Sequence, residues 1–232
     1  EKQSFTGKMR IYRRAESMDV QDYVIEVSHV SKSFRDQKVL KDVSLTCKSG
    51  RIYGFVGHNG SGKTVLFKVI CGFLSCEEGT ISVNGKVLGK DKDMLNEAGI
   101  IIEEPGFLRT WSGYHNLEFL YTLRNRKNKK HLYSVLKEVG LDPTWKRPVG
   151  KYSLGMRQRL AIAQAIMEDP GILILDEPMN GLDKNGVKEI RELLLKMKEE
   201  NKLILLASHN REDIQVLCDE VYEMEGGVTR KL

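Results

Sequence analysis

Eight consecutive residues, Gly57-His58-Asn59-Gly60-Ser61-Gly62-Lys63-Thr64, hold the clearest chemistry in the chain. They follow a short apolar run at 52–56 and lead into Val65-Leu66-Phe67-Lys68-Val69-Ile70, so the spacing reads strand, glycine-rich turn, helix. Glycines at this density let successive backbone N–H groups converge on one point, and a helix opening there adds partial positive charge. Such a turn suits phosphate oxygens. Lys63 supplies a mobile cation for the β- and γ-phosphates of a nucleotide, and the Thr64 hydroxyl is placed for Mg²⁺.

A second cluster follows an apolar run, Ile172-Leu173-Ile174-Leu175-Asp176-Glu177-Pro178. In open α/β sheets, nucleotides bind at the rim where parallel strands end. Adjacent side chains on a strand point opposite ways, so Asp176 can face Mg²⁺ while Glu177, at the strand end, turns toward an attacking water. That division suits hydrolysis. The plainer alternative is an Asp-Glu turn that only closes a strand.

These groups need a sheet to carry them. The chain has 232 residues, 41% of them hydrophobic and 30% charged, an ordinary globular balance. Residues 23–30, 39–47 and 52–56 read as strands, Asn84-Gly85 as a hairpin turn, and 99–102, 172–175 and 203–207 as further strands. Val187, Ile190, Leu194 and Met197 mark one helix face, and Gly226-Gly227 a terminal hairpin. Between 107 and 170 the pattern becomes helical, with Trp111, Leu117, Leu120, Leu132, Val135 and Leu136 broken by Gly140 and Pro143. Alternating β and α elements with continuous apolar strands point to an α/β fold with a largely parallel sheet.

Composition narrows the function classes. Residues 1–18 carry a surplus of three positive charges out of the total of +5, which leaves +2 for the rest. No nucleic-acid partner is implied. That segment, with Met9 and Met18 inside it, reads as a native or vector-derived extension ahead of a domain at 19–232. Cys47, Cys71, Cys76 and Cys218 form no CxxC pair, and no signal-peptide core precedes the first strand, so reduced cytosolic thiols are expected. The longest apolar runs fall far short of the ~18 residues that a membrane-spanning helix needs.

Five motifs occur in order: Gly57 to Thr64, Tyr152-Ser153-Leu154-Gly155-Met156, Ile172 to Pro178, Asn180-Gly181-Leu182-Asp183, and Ala207-Ser208-His209. From residue 23 to 232 the chain closely resembles the nucleotide-binding subunit of ABC transporters. The resemblance implies a phosphate-loop NTPase core with a mostly parallel sheet, an N-terminal antiparallel β subdomain, and an inserted helical subdomain at about 107–170. It also implies an ATPase that uses ATP and Mg²⁺ and pairs head to tail with a second copy. A separate transmembrane permease subunit would hold it, peripheral, at the cytoplasmic face. Its residues would be Gly57, His58, Asn59, Gly60, Ser61, Gly62, Lys63 and Thr64 on the phosphates, Phe34 stacked on adenine, and Thr64 and Asp176 on the metal. Glu177 would act as the base and His209 as the sensor of the γ-phosphate. Ser153 and Gly155 would close on nucleotide held by the opposite copy, and Asp183 would lie in the loop that speaks across that dimer. Without the resemblance, Ser153 and Asp183 read as helix N-caps, His209 as a polar strand-end residue and Phe34 as core.

Two departures from the family pattern stand out. The signature, usually Leu-Ser-Gly-Gly-Gln, is Tyr-Ser-Leu-Gly-Met here, which keeps Ser153 and Gly155. Where the family has a glutamine near the metal and the membrane partner, this chain has Ile102-Glu103-Glu104-Pro105-Gly106-Phe107, with Glu103 the candidate third metal ligand. Together these resemble the bacitracin-exporter and lantibiotic-immunity branch, which implies export of an antimicrobial peptide or drug. Two other readings compete. A phosphate-loop small-molecule kinase shares the loop but has no use for the signature, and an ATP-gated interaction module would bind nucleotide and turn over slowly. The basic run at 123–131 reads as a solvated loop between helices, with contact to anionic lipid headgroups as the sharper alternative.

Overall fold

The computed structural model describes residues 21–232, so the extension at 1–18 lies outside the described residues. The chain opens with two long strands, β1 (Val24–Phe34) and β2 (Gln37–Lys48), joined by a tight turn and paired antiparallel. β1 runs four residues past the stretch that alternation marks, because bulges after Val27 and Val30 interrupt its period while pairing continues to Phe34 and Gln37. After β3 (Arg51–Val56) and α1 (Lys63–Ile70) the chain returns to the same small sheet. There β4 (Glu78–Val83) pairs with β1, and β5 (Lys86–Val87) closes the hairpin at Asn84-Gly85. The result is an antiparallel sheet of order β2-β1-β4-β5.

From β6 (Ala98–Ile101) the chain enters three helices, α2 (Gly113–Thr122), α3 (Lys129–Glu138) and α4 (Leu154–Ile166). Ser112 and Asn128 cap the first two through side-chain oxygens that accept from His115 N and His131 N. The basic run is therefore only partly a loop: Lys129, Lys130 and His131 form the first turn of α3, and His131 Nε2 lies 2.7 Å from Met167 O. Then come β7 (Ile172–Asp176), α5 (Lys184–Glu199), β8 (Leu203–Ala207), α6 (Arg211–Leu217), β9 (Glu220–Glu225) and β10 (Val228–Lys231). The second sheet has the order β10-β9-β3-β8-β7-β6, parallel except for the last hairpin.

β8 and the first four residues of β7, Ile172 to Leu175, are apolar at every position because both faces of this sheet are covered, and only Asp176 at the rim end breaks the run. Ile172, Ile174, Leu203, Leu205 and Ala207 point into a core shared with α1 and the antiparallel sheet. Leu173, Leu175, Ile204 and Leu206 point into a second core, with α3, α4 and α5. No helix among the described residues is long and apolar enough to cross a membrane.

Candidate functional site

Strand register gathers the motifs. Phe55 pairs with Ala207 and Ala207 with Asp176, so β3, β8 and β7 end side by side. The segments that follow them, carrying Gly57, His209 and Glu177, emerge at one rim.

The phosphate loop occupies the turn between β3 and α1. Gly57 has φ 155°, and a Cβ there would sit 2.4 Å from Met224 O and 2.7 Å from Ser61 Oγ, so only glycine fits. Gly62 precedes α1 in the left-handed region and offers no side-chain cap, which leaves the first N–H groups of the helix for an outside acceptor. Ser61 Oγ is the one buried side-chain polar atom without a hydrogen-bond partner among the described residues. An orphaned hydroxyl inside such a loop fits a phosphate oxygen. Lys63 is buried, its ammonium folded onto Gly57 O at 2.7 Å and His58 O at 3.2 Å.

Thr64 Oγ1 donates to Asp176 Oδ2 at 2.6 Å. The described residues hold no cluster of three or more His, Cys, Asp or Glu able to cage a metal. One hydroxyl beside one carboxylate is the donor set expected for Mg²⁺, which takes its remaining oxygens from phosphates and water. The residues present therefore fit that ion.

Glu177 stands just past the end of β7 with φ 51°, a left-handed conformation that a non-glycine residue adopts at a cost. Its N–H donates to Ala207 O at 2.9 Å, which locks the turn to β8. Its Oε2 lies 2.8 Å from His209 Nδ1. Lys63, Thr64, Asp176, Glu177, Glu103 and Gln158 share a cleft of about 770 Å³. His58, Asn59, Glu177 and His209 line a smaller recess of about 340 Å³ beside it.

Other expected residues sit elsewhere. Ser153 is exposed and caps α4, accepting from Met156 N at 3.2 Å, and Asp183 caps α5, accepting from Gly186 N at 2.8 Å. Both therefore fill the N-cap role that their residue types suggest. Gly155 faces the Gly181 carbonyl so closely that a Cβ would approach it to 2.7 Å. Neither Ser153, Gly155, Asp183 nor Phe34 lines the cleft of Lys63 and Thr64. Phe34 is half exposed at the end of β1, with Lys32 Nζ 5.5 Å from its ring centre, and is not core. Glu103 borders the cleft, but its carboxylate rests on Lys68 Nζ at 2.5 Å.

Several participants left no mark in the sequence. Lys68 is one. Gln158 is another, its Nε2 donating to Pro178 O at 2.9 Å and tying α4 to the turn after Glu177. Asp213 is buried on Arg191, whose guanidinium also holds Glu212. Hydrogen bonding to Glu212 raises the Arg191 pKa, and the same contact lowers that of Glu212. Burial pushes the Cys71 and Cys218 thiols up to about 12, so neither is a nucleophile near neutral pH.

Known proteins resemble this chain in sequence and in fold. The sequence profile of the ABC transporter family matches residues 40–180. An uncharacterised ABC transporter ATP-binding protein of Bacillus subtilis, YybJ, is 39% identical over 88% of this chain and 94% of its own length. The bacitracin transport ATP-binding protein BcrA of Enterococcus faecalis is 38% identical over 90% of this chain and 69% of its own. The dimeric structure of MJ0796, a bacterial ABC transporter cassette, superposes with a TM-score of 0.81 at 22% identity, covering 90% of this chain and 97% of that one, a likeness of fold. The chain belongs to the ABC transporter family as an ATP-binding subunit, an ATPase that works on ATP with Mg²⁺.

Proposed function

We propose that this ATPase powers export of an antimicrobial peptide or related drug through a separate transmembrane permease, as part of a head-to-tail dimer at the cytoplasmic face of the membrane. The contact between Glu177 and His209, at the rim that also carries Thr64 and Asp176, is the observation that bears most weight.

In this reading the N–H groups of Gly57 to Thr64 and the Ser61 hydroxyl donate to the phosphate oxygens, and Lys63 moves its ammonium from the Gly57 and His58 carbonyls onto the β- and γ-phosphate oxygens. Phe34 stacks on adenine. Thr64 Oγ1 and Asp176 would hold Mg²⁺, with Glu103 offering a further oxygen if it left Lys68, and the ion would supply neutralisation of phosphate charge. Glu177 takes a proton from the attacking water, whose oxygen bonds to the γ-phosphorus as the bond to the leaving ADP breaks. His209 steadies that carboxylate through Nδ1 and registers the γ-phosphate.

Ser153 is exposed outside its own chain's cleft, which supports its use by a second copy, and Asp183 joins it at that interface. BcrA is named for bacitracin transport, which supports a peptide antibiotic as cargo. A permease would dock in the groove between Glu103 and Tyr114. A small-molecule kinase would need no base paired with a histidine at the strand ends. The test is Glu177→Gln: ATP binding should persist, steady-state hydrolysis should fall at least about 100-fold, and sedimentation with Mg·ATP should show a dimer that is absent without nucleotide. Near-wild-type turnover would remove Glu177 as the base, and a monomer at saturating ATP would remove the sandwich.

A further inference from the structure

A buried ion pair behind the rim has no part in the roles above. Arg191 on α5 leaves 14% of its side chain exposed and Asp213 in α6 only 1%. The guanidinium Nε and Nη2 both donate to Asp213 Oδ1, at 2.9 and 2.6 Å, and Nη1 donates to Glu212 Oε1 at 2.9 Å. Oδ2 remains, and it accepts the hydroxyl of buried Ser208 at 3.3 Å. The same serine oxygen accepts the backbone N–H of Asn210 at 3.1 Å, while Ser208 N donates to Phe55 O at 3.3 Å.

Ser208, just before His209, is thus anchored on a buried carboxylate, and Asn210, just after it, is held on the same serine oxygen. His209 itself projects outward, its side chain 65% exposed, toward Glu177 Oε2. An exposed ring on a three-residue link between β8 and α6 needs its backbone held if Nδ1 is to stay on one carboxylate oxygen. A buried charge pair is seldom retained for raw stability, since apolar residues of similar size serve as well or better. Orientation is the use that this geometry offers.

We propose that Asp213, backed by Arg191 and acting through Ser208, is the positioning residue that sets His209 against Glu177 for hydrolysis. The inference rests on the reading of Glu177 and His209 given above. It predicts a hydrolysis defect transmitted through His209 alone, without loss of nucleotide affinity.

Ser208→Ala deletes the link and keeps the ion pair, so folding is preserved while the coupling is cut. On the full chain, kcat for ATP should fall roughly ten-fold, the barrier change expected for about one hydrogen bond. KM for ATP should stay at wild type and the variant should remain folded at the assay temperature with only a modestly lowered unfolding midpoint, because Asp213 Oδ2 loses one partner, and Ser208→Thr, which restores a hydroxyl, should recover the rate. Asp213→Asn should lower kcat further. In a His209→Ala background, Ser208→Ala should cost nothing more. Wild-type kcat in Ser208→Ala, or a loss that multiplies undiminished on top of His209→Ala, overturns the positioning role while leaving the hydrolysis reading intact. Wild-type turnover in His209→Ala alone overturns that underlying reading, and the inference with it.

Discussion

Thr64 Oγ1 and Asp176 Oδ2 are 2.6 Å apart although 112 residues separate them in sequence. The contact arises because β3 and β7 flank β8 in register, which brings the first turn of α1 against the last residue of β7. Removing the carboxylate should therefore affect the metal more than the phosphates. Asp176→Ala is expected to raise the Mg²⁺ concentration for half-maximal ATPase activity at least ten-fold, read in a magnesium titration, while metal-free nucleotide affinity changes little.

Lys63→Ala should weaken nucleotide binding itself. Hydrogen bonds to charged groups contribute about 1.5–3 kcal/mol, so the Kd for ATP should rise roughly 10- to 100-fold. Equilibrium binding of a fluorescent ATP analogue measures this, and an unchanged Kd would count against Lys63 as a phosphate ligand.

The Lys68–Glu103 pair is largely exposed on the carboxylate side, so breaking it should change stability by less than about 1 kcal/mol. Glu103→Gln should keep basal turnover and raise the Mg²⁺ requirement slightly. Glu103→Ala should lose permease-stimulated turnover more than basal turnover. ATPase rates with and without the permease, across a magnesium series, decide this; curves for both variants that superimpose on wild type would retire Glu103.

Gly155→Ala places a Cβ 2.7 Å from the Gly181 carbonyl, and since that atom is backbone the α4 start and the loop before Asp183 must separate. Hydrolysis by the dimer should fall while ATP binding by the isolated chain remains. Titration calorimetry beside a steady-state assay tests this, and parallel losses in both would speak for general misfolding.

Leu173 is fully buried in the core beneath α4 and α5. Leu173→Ala should cost about 2–5 kcal/mol of unfolding free energy by loss of burial plus the cavity left behind. Denaturant unfolding measures it, and a loss below 1 kcal/mol would mean that this face of β7 can collapse.

Much of the site was legible because its parts are local. The phosphate loop and the Asp176-Glu177 pair each lie within a few residues, bounded by apolar strands, and β7 and β8 stand where continuous hydrophobicity puts them. What escaped was tertiary. Arg191 and Asp213 lie on separate helices 22 residues apart, and nothing in either segment marks the other as its partner. Seven-residue α6 is too short to display a period. Lys129 to His131 read as loop because three cationic or titratable groups crowd a helix start, where the dipole disfavours positive charge, yet the Asn128 cap carries α3 through them.

The position of β3 bears on synthesis as well as on chemistry. Its neighbours are β8 and β9, so residue 51 waits for residue 203, and the loop at Gly57 rests on the Met224 carbonyl, made later still. Such pairing is costly to close and slow to form. A nascent chain emerging from the ribosome would hold all eight phosphate-loop residues and still lack the walls of the site until its last strands appear. Nucleotide capture should then wait for β8 and β9, and a chain cut before β8 should be unable to grip ATP however intact its loop.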